Sequence, residues 1–153
     1  MKKKYLLWIA MAAIGCMSCN NEWEDEQFTQ LVSFKATLNN DGVSPIYVRY
    51  QTDGVKRYDV PVLVSGSTVN SQDRTVHIGL DPDTLASLNL ERFGTYRTEL
   101  YYKQLDPQYY TMPETVTVPA GQRQTLLPIN FTLGGMDNAN PLNMVEQYVL
   151  PLT

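Results

Sequence analysis

Two stretches of this chain, residues 56–65 (KRYDVPVLVS) and 125–133 (TLLPINFTL), alternate apolar and polar side chains with a period of two. That pattern places Tyr58, Val60, Val62 and Val64 on one face, and Leu127, Ile129, Phe131 and Leu133 on another. A period of two fits a half-buried strand and cannot fit a helix. Further short runs of the same kind occur at 30–37, with Val32, Phe34 and Ala36 alike, and at 45–50, with Ile46, Val48 and Tyr50 alike. Residues 74–80 repeat the pattern through Val76, Ile78 and Leu80, and 96–102, 115–118 and 146–153 are β-prone. Turn residues punctuate them: Asn39-Asn40-Asp41-Gly42, Asp53-Gly54, Asp106-Pro107 and Pro119-Ala120-Gly121. Asp53-Gly54 reads as a hairpin joining 45–50 to 56–65. Pro61 cannot donate to a ladder, so its strand is expected to border an edge or a bulge. About eight closely spaced strands imply an all-β sandwich.

The period changes once. Asp81-Pro82-Asp83 combines an N-cap, a first-turn proline and an acid favoured by the helix dipole. A short helix over 84–93 follows, with Leu85, Leu88 and Phe93 facing the sheets and Gly94 as its C-terminal cap. One short helical insert in an all-β domain is therefore expected.

The N-terminus carries information of another kind. Three lysines, an uncharged apolar run from Tyr5 to Gly15 and a small-residue region are the parts of a secretory signal peptide. The run is too short to span a bilayer. The chain's two cysteines, Cys16 and Cys19, lie two residues apart where the signal ends, so a bridge between them would staple nothing. A lipobox reading makes one of them the lipidated first residue, Cys19 with Cys16 as the alternative; plain cleavage without lipid is the blander possibility. On the Cys19 reading, 1–18 is a lipoprotein signal peptide, 19–29 an acidic tether and 30–153 a single domain. The acidic cluster Glu22, Glu24, Asp25, Glu26 resembles the export signal of Bacteroidetes-type surface lipoproteins. That resemblance implies attachment to the outer membrane, facing the exterior. A solvated, self-repelling linker has the same composition. Trp23, within it, could anchor at the membrane interface or on a partner.

The formal charge of the chain is −4, and loss of Lys2, Lys3 and Lys4 with the signal makes the remainder more acidic. With no Lys/Arg cluster, nucleic acid and anionic polysaccharide are disfavoured as partners.

The phrases at 70–85 (NSQDRTVHIGLDPDTL), 89–94 (NLERFG), 105–113 (LDPQYYTMP) and 116–121 (VTVPAG), with Ile129-Asn130-Phe131 after them, resemble a known family in that order. It is the immunoglobulin-like N-terminal domain of unknown function of Bacteroidetes outer-membrane lipoproteins. The resemblance implies an immunoglobulin-like sandwich of about seven or eight strands. It also implies a place in polysaccharide utilisation, usually ahead of a lectin-like or endo-β-N-acetylglucosaminidase domain. No such domain follows in this sequence, so the expectation is either a truncated product or a domain serving alone. The family supplies no catalytic residue.

Nothing in the sequence makes an enzyme of this chain. His77, the only histidine, sits mid-strand opposite the apolar face, where a surface histidine is the simpler reading. Asp81 and Asp83 are the nearest carboxylate pair in the folded part, but helix capping accounts for both. No catalytic motif, metal-ligand spacing or cofactor loop occurs. Carbohydrate binding has better material. Tyr101, Tyr102, Tyr109 and Tyr110, near Tyr96, could stack on sugar rings, although strand alternation prevents all of them from sharing a platform. Tyrosines bracing a sandwich corner are the competing explanation. Asp83-Thr84-Leu85 resembles the O-glycosylation acceptor of Bacteroidetes-type secreted proteins, with Thr84 as the residue modified. The expected role is a non-catalytic, lipid-anchored accessory or spacer domain. Its rivals are direct binding of a neutral glycan through tyrosines, and an adhesin or pilin-like subunit exchanging the terminal strand.

Overall fold

A computed structural model describes residues 28–40, 42–135 and 139–153. The two period-two stretches form its centre. β2 (Lys56–Ser65) and β7 (Gln124–Phe131) run antiparallel with Val60 opposite Leu127 and Tyr58 opposite Ile129. β1 (Leu31–Phe34) lies on the other edge of β2, and β5 (Tyr110–Thr111) on the other edge of β7, giving the order β1-β2-β7-β5. Val62 and Leu127 are wholly buried, and Val60, Val64, Ile129, Phe131 and Leu133 are nearly so. Tyr58, expected with them, is 39% exposed.

β3 (Arg74–His77) and β6 (Thr115–Val118) form a second antiparallel pair, with Arg74 opposite Val118. Val116, Val118 and Ile78 from this pair and its continuation are buried, and Val116 and Ile78 join Leu127 and Phe131 in one core. The fold is therefore β-rich, with curled antiparallel sheets around one core and a single short α-helix, α1 (Pro82–Phe93).

Pro61 explains where β1 stops. Lys35 N donates to the Pro61 carbonyl at 2.8 Å, but proline has no N–H to return the bond, and the ladder ends at Phe34 opposite Val62. The strand bearing Pro61 does border an edge strand, as expected.

Two expected strands are absent. Residues 45–50 join no ladder, and Asp53-Gly54, although Gly54 has φ of 75°, closes no hairpin. β1 covers its edge of β2 only over Val62–Ser65 and, through Lys35 N, at Pro61, and residues 45–50 do not extend it toward Lys56. Residues 96–102 contain a 3-10 turn (Thr98–Leu100) in place of a strand, and β4 (Lys103–Gln104) follows it. The other 3-10 turn (Pro107–Tyr109) is closed by Asp106, whose side chain accepts from Gln108 N at 3.0 Å.

α1 begins as the sequence predicts. Asp81 accepts from Thr84 N at 3.1 Å and from the Thr84 hydroxyl at 2.7 Å, Pro82 opens the first turn, and Gly94 closes the helix with φ of 69°. Leu85 is buried, but so is Asn89, which no apolar pattern anticipates. Its side-chain amide meets the backbone of Tyr102 as a second strand would. Tyr102 N donates to Asn89 Oδ1 at 2.8 Å, and Asn89 Nδ2 donates to Tyr102 O at 2.9 Å. One residue thus holds the helix to the chain entering β4.

The terminal segment is bonded to two parts of the chain in succession. β8 (Tyr148–Val149) runs parallel to β4, with Lys103 N donating to Gln147 O and Leu105 N to Val149 O. Further along, Leu152 bridges Leu80, and Gly79 and Thr153 exchange both backbone bonds at 2.8 and 3.0 Å.

Candidate functional site

The tyrosines do not assemble an exposed platform. Tyr102, Tyr109 and Tyr110 are 9%, 7% and 8% exposed. Tyr109 and Tyr110 belong to the main core, where Tyr110 lies opposite Phe131. Burial, with the nearby Asp106 charge adding, pushes the Tyr110 phenol above its usual range. Tyr102 packs edge-on against Phe93 at 5.6 Å, and Tyr101 meets the same ring at 6.1 Å. The Tyr101 hydroxyl donates to Gly94 O at 2.6 Å and so reinforces the end of α1. Tyr102, Tyr109 and Tyr110 are committed to packing, and Tyr101 is half-buried against Phe93, so the four share no exposed face. Only Tyr96 of that region stands free, 96% exposed.

The other residues singled out by sequence fall apart spatially. Thr84 is exposed in the first turn of α1, its hydroxyl engaged by Asp81. That pair of bonds lowers the Asp81 carboxyl below its ordinary range, the hydroxyl contributing most. Asp81 therefore serves the helix start. His77 is exposed at the end of β3. Among the described residues, no three His, Cys, Asp or Glu side chains gather to hold a metal ion. Cys16, Cys19, Trp23 and the acidic cluster lie outside the described residues. No helix among the described residues is long and apolar enough to cross a membrane. The terminal strand, expected to offer an edge for exchange, pairs with β4 as the second strand of a two-stranded sheet and further on bridges Leu80.

Two surface grooves among the described residues are relevant to binding. The first, of about 550 Å³, is lined by residues of β1, β2, the loop before β3 and the start of β3. Three valines make its apolar lining: Val32, half exposed on β1, Val64, buried on β2, and Val69, 47% exposed in the loop before β3. Gln30 and Arg74 cross it, with Arg74 Nη2 donating to Gln30 Oε1 at 3.3 Å. Thr68 and Ser71 add hydroxyls. The loop carrying Val69 and Ser71 is fixed by buried Asn70, whose Nδ2 donates to Pro119 O at 2.9 Å and whose carbonyl accepts from Gly121 N at 2.8 Å. No carboxylate lines this groove among the described residues. The second groove, of about 500 Å³, has Lys35 and Asp59 together on its walls, with Asp59 also paired to Arg57 at 2.7 Å. Sequence reasoning passed over the first groove because its residues are spread from 30 to 74 with no motif spacing.

The fold places the protein among small β-rich modules. The chain belongs to the family described as a domain of unknown function, DUF4973, which it matches over residues 23–153. Among solved structures it is similar to a multidomain protein including DUF1735 from Bacteroides ovatus, with 51% identity and a TM-score of 0.72. That match covers 81% of this chain and 40% of the other. A second Bacteroides ovatus protein, of unknown function, is 43% identical with a TM-score of 0.69, over 80% of this chain and 36% of its own. An auxiliary nutrient binding protein from Bacteroides thetaiotaomicron is 36% identical with a TM-score of 0.54, over 68% and 30%. The chain thus spans 40% or less of the length of each of these three proteins. No protein with a curated description matches.

Proposed function

We propose that this chain is a non-catalytic accessory domain of a polysaccharide-utilisation system, lipid-anchored through Cys19 (or Cys16) to the outer membrane and facing the exterior. Its work is to hold or dock a glycan-capturing partner away from the membrane, on an immunoglobulin-like sandwich. The observation that carries this reading is recurrence: the same domain occupies 30–40% of three longer chains, one of them described as nutrient binding. A module repeatedly joined to other domains fits a positioning role. The burial of Tyr102, Tyr109 and Tyr110 supports it too, since those rings serve packing.

The test is made in the producing bacterium. Cells lacking the chain should capture their polysaccharide more slowly, and the purified chain should cleave none of it. Normal capture without the chain, or hydrolysis by it, would refute the accessory role. Cys19→Ala should release the chain from the membrane fraction; retention would move the anchor to Cys16, and retention of the double Cys16→Ala, Cys19→Ala variant would refute the anchor.

Direct glycan binding is the second reading, favoured by the groove between β1 and β3. On this reading the contacts come from that groove and not from Tyr101, Tyr102, Tyr109 and Tyr110. Thr84, exposed at the helix start, is the proposed O-glycan acceptor. Intact-mass measurement of the chain from its native host against Thr84→Ala tests it, and an unchanged mass would sink it.

A further inference from the structure

We infer that the groove between β1 and β3 binds an acidic sugar, with Arg74 taking the carboxylate and the valines taking the C–H face of the ring. The inference rests on the direct-binding reading and assigns it a place and a ligand class.

The chemistry of the lining selects the class. Arg74 is the one charged side chain among the described lining residues, and the neighbouring Asp73 is turned to Ala120 N, which donates to its Oδ1 at 2.8 Å. A guanidinium offers five N–H donors and no acceptor, and the Gln30 contact at 3.3 Å uses one. Such a fork matches a carboxylate bidentately and is stronger for a charged acceptor than for a hydroxyl. A cationic ligand would meet Arg74 unshielded, so that class is excluded. Thr68 and Ser71 supply hydroxyls at the groove wall, suited to the hydroxyls of a sugar. Val32 and Val69 stay about half exposed, an apolar surface that a sugar ring could cover. The volume, about 550 Å³, falls within the range of small-molecule sites, about 300–1,000 Å³.

The site is held before any ligand arrives. The backbone of Arg74 is fixed at the start of β3 by pairing with Val118, and its exposed side chain is steered by Gln30 at 3.3 Å. Asn70 pins the opposite wall to the turn after β6. Gln30 closes the space from the β1 side. Net charge pointed the other way, because an acidic chain repels an acidic glycan at long range. That repulsion is screened within about 8 Å at physiological salt, and the acidic tether lies outside the described residues. Local charge decides binding at this distance.

The experiment is an amide chemical-shift titration of the purified chain with tri-galacturonate, maltotriose and sodium acetate. Tri-galacturonate should move the amides of Gln30, Val69, Ser71 and Arg74 and bind at least tenfold more tightly than maltotriose. Arg74→Gln should weaken it at least tenfold, while Arg74→Lys should retain part of the binding; the spectrum of each variant reports directly whether it is folded. Val69→Ser should weaken tri-galacturonate without altering the response to acetate. Equal affinity for maltotriose would overturn the acidic assignment. An acetate response as strong as that of tri-galacturonate would reduce the groove to an unspecific anion site and overturn the sugar. No shift with any of the three, or shifts elsewhere, would overturn the site. The accessory role is judged separately by capture on cells, so the two readings can fail independently.

Discussion

The β2–β7 pair and the segment from α1 to β8 are held together by different physics. β2 and β7 alternate strictly, bury Val62 and Leu127 completely, and owe their cohesion to the area of apolar surface removed from water. The second region has short strands of two residues and a helix with modest burial, and it is joined by specific polar contacts. Asn89 bridges to Tyr102, Tyr101 to Gly94, and Gly79 to Thr153. Packing of the first kind tolerates a change of side chain if volume is kept. Bonds of the second kind depend on one atom in one place, because a buried polar group left without its partner costs more than the bond contributes.

That contrast can be broken by mutation. Leu127→Ala should have the largest effect, about 2–5 kcal/mol of lost stability by chemical denaturation. A loss under 1 kcal/mol would mean that the site collapses and that β7 is not the centre. Asn89→Leu comes next. It adds apolar volume but orphans the Tyr102 N–H and C=O, and should cost about 2–3 kcal/mol. Leu127→Met, keeping volume, should cost under about 1.5 kcal/mol. If Asn89→Leu proved the milder of these two, the distinction between the regions would fail. Tyr101→Phe keeps the ring against Phe93 and removes the bond to Gly94, for about 0.5–1.5 kcal/mol. An unchanged denaturation midpoint would show that the hydroxyl is not used in the fold.

The smallest effect concerns pH. The Asp81 carboxyl is depressed in the folded chain by its bonds to Thr84, so its contribution is present above the unfolded value, near 3.8, and is lost as pH falls through the folded value. Asp81→Asn keeps a capping oxygen without the charge. It should therefore flatten the part of the urea-midpoint change that occurs below about pH 4, with little effect near pH 6. A variant with the same acid dependence as the parent would remove Asp81 as its source.

The same contrast marks how far the fold was legible. Strand β2 from Lys56 to Ser65 and β6 from Thr115 to Val118 were readable residue for residue, because a period of two has one interpretation when one face is buried. The start of α1 was readable from Asp81-Pro82 because the cap is local in sequence. The expected strand over 45–50 did not form, because alternation shows which residues share a face and not whether a ladder partner is taken. The tyrosines of 101–110 were visible as a cluster, yet an aromatic ring carries no mark of whether it will be inside or outside.

What the sequence determined by itself was the β-rich class of fold and the position of its helix, both set by neighbours within a few residues. The tertiary structure alone decided that the tyrosines go to the core, that Asn89 takes the place of a strand, and that residues 147–153 complete β4 and residue 79. It also brought Gln30, Val69 and Arg74 to one groove. Those outcomes depend on which distant segment occupies a given edge or face, and that competition is resolved only when the whole chain packs.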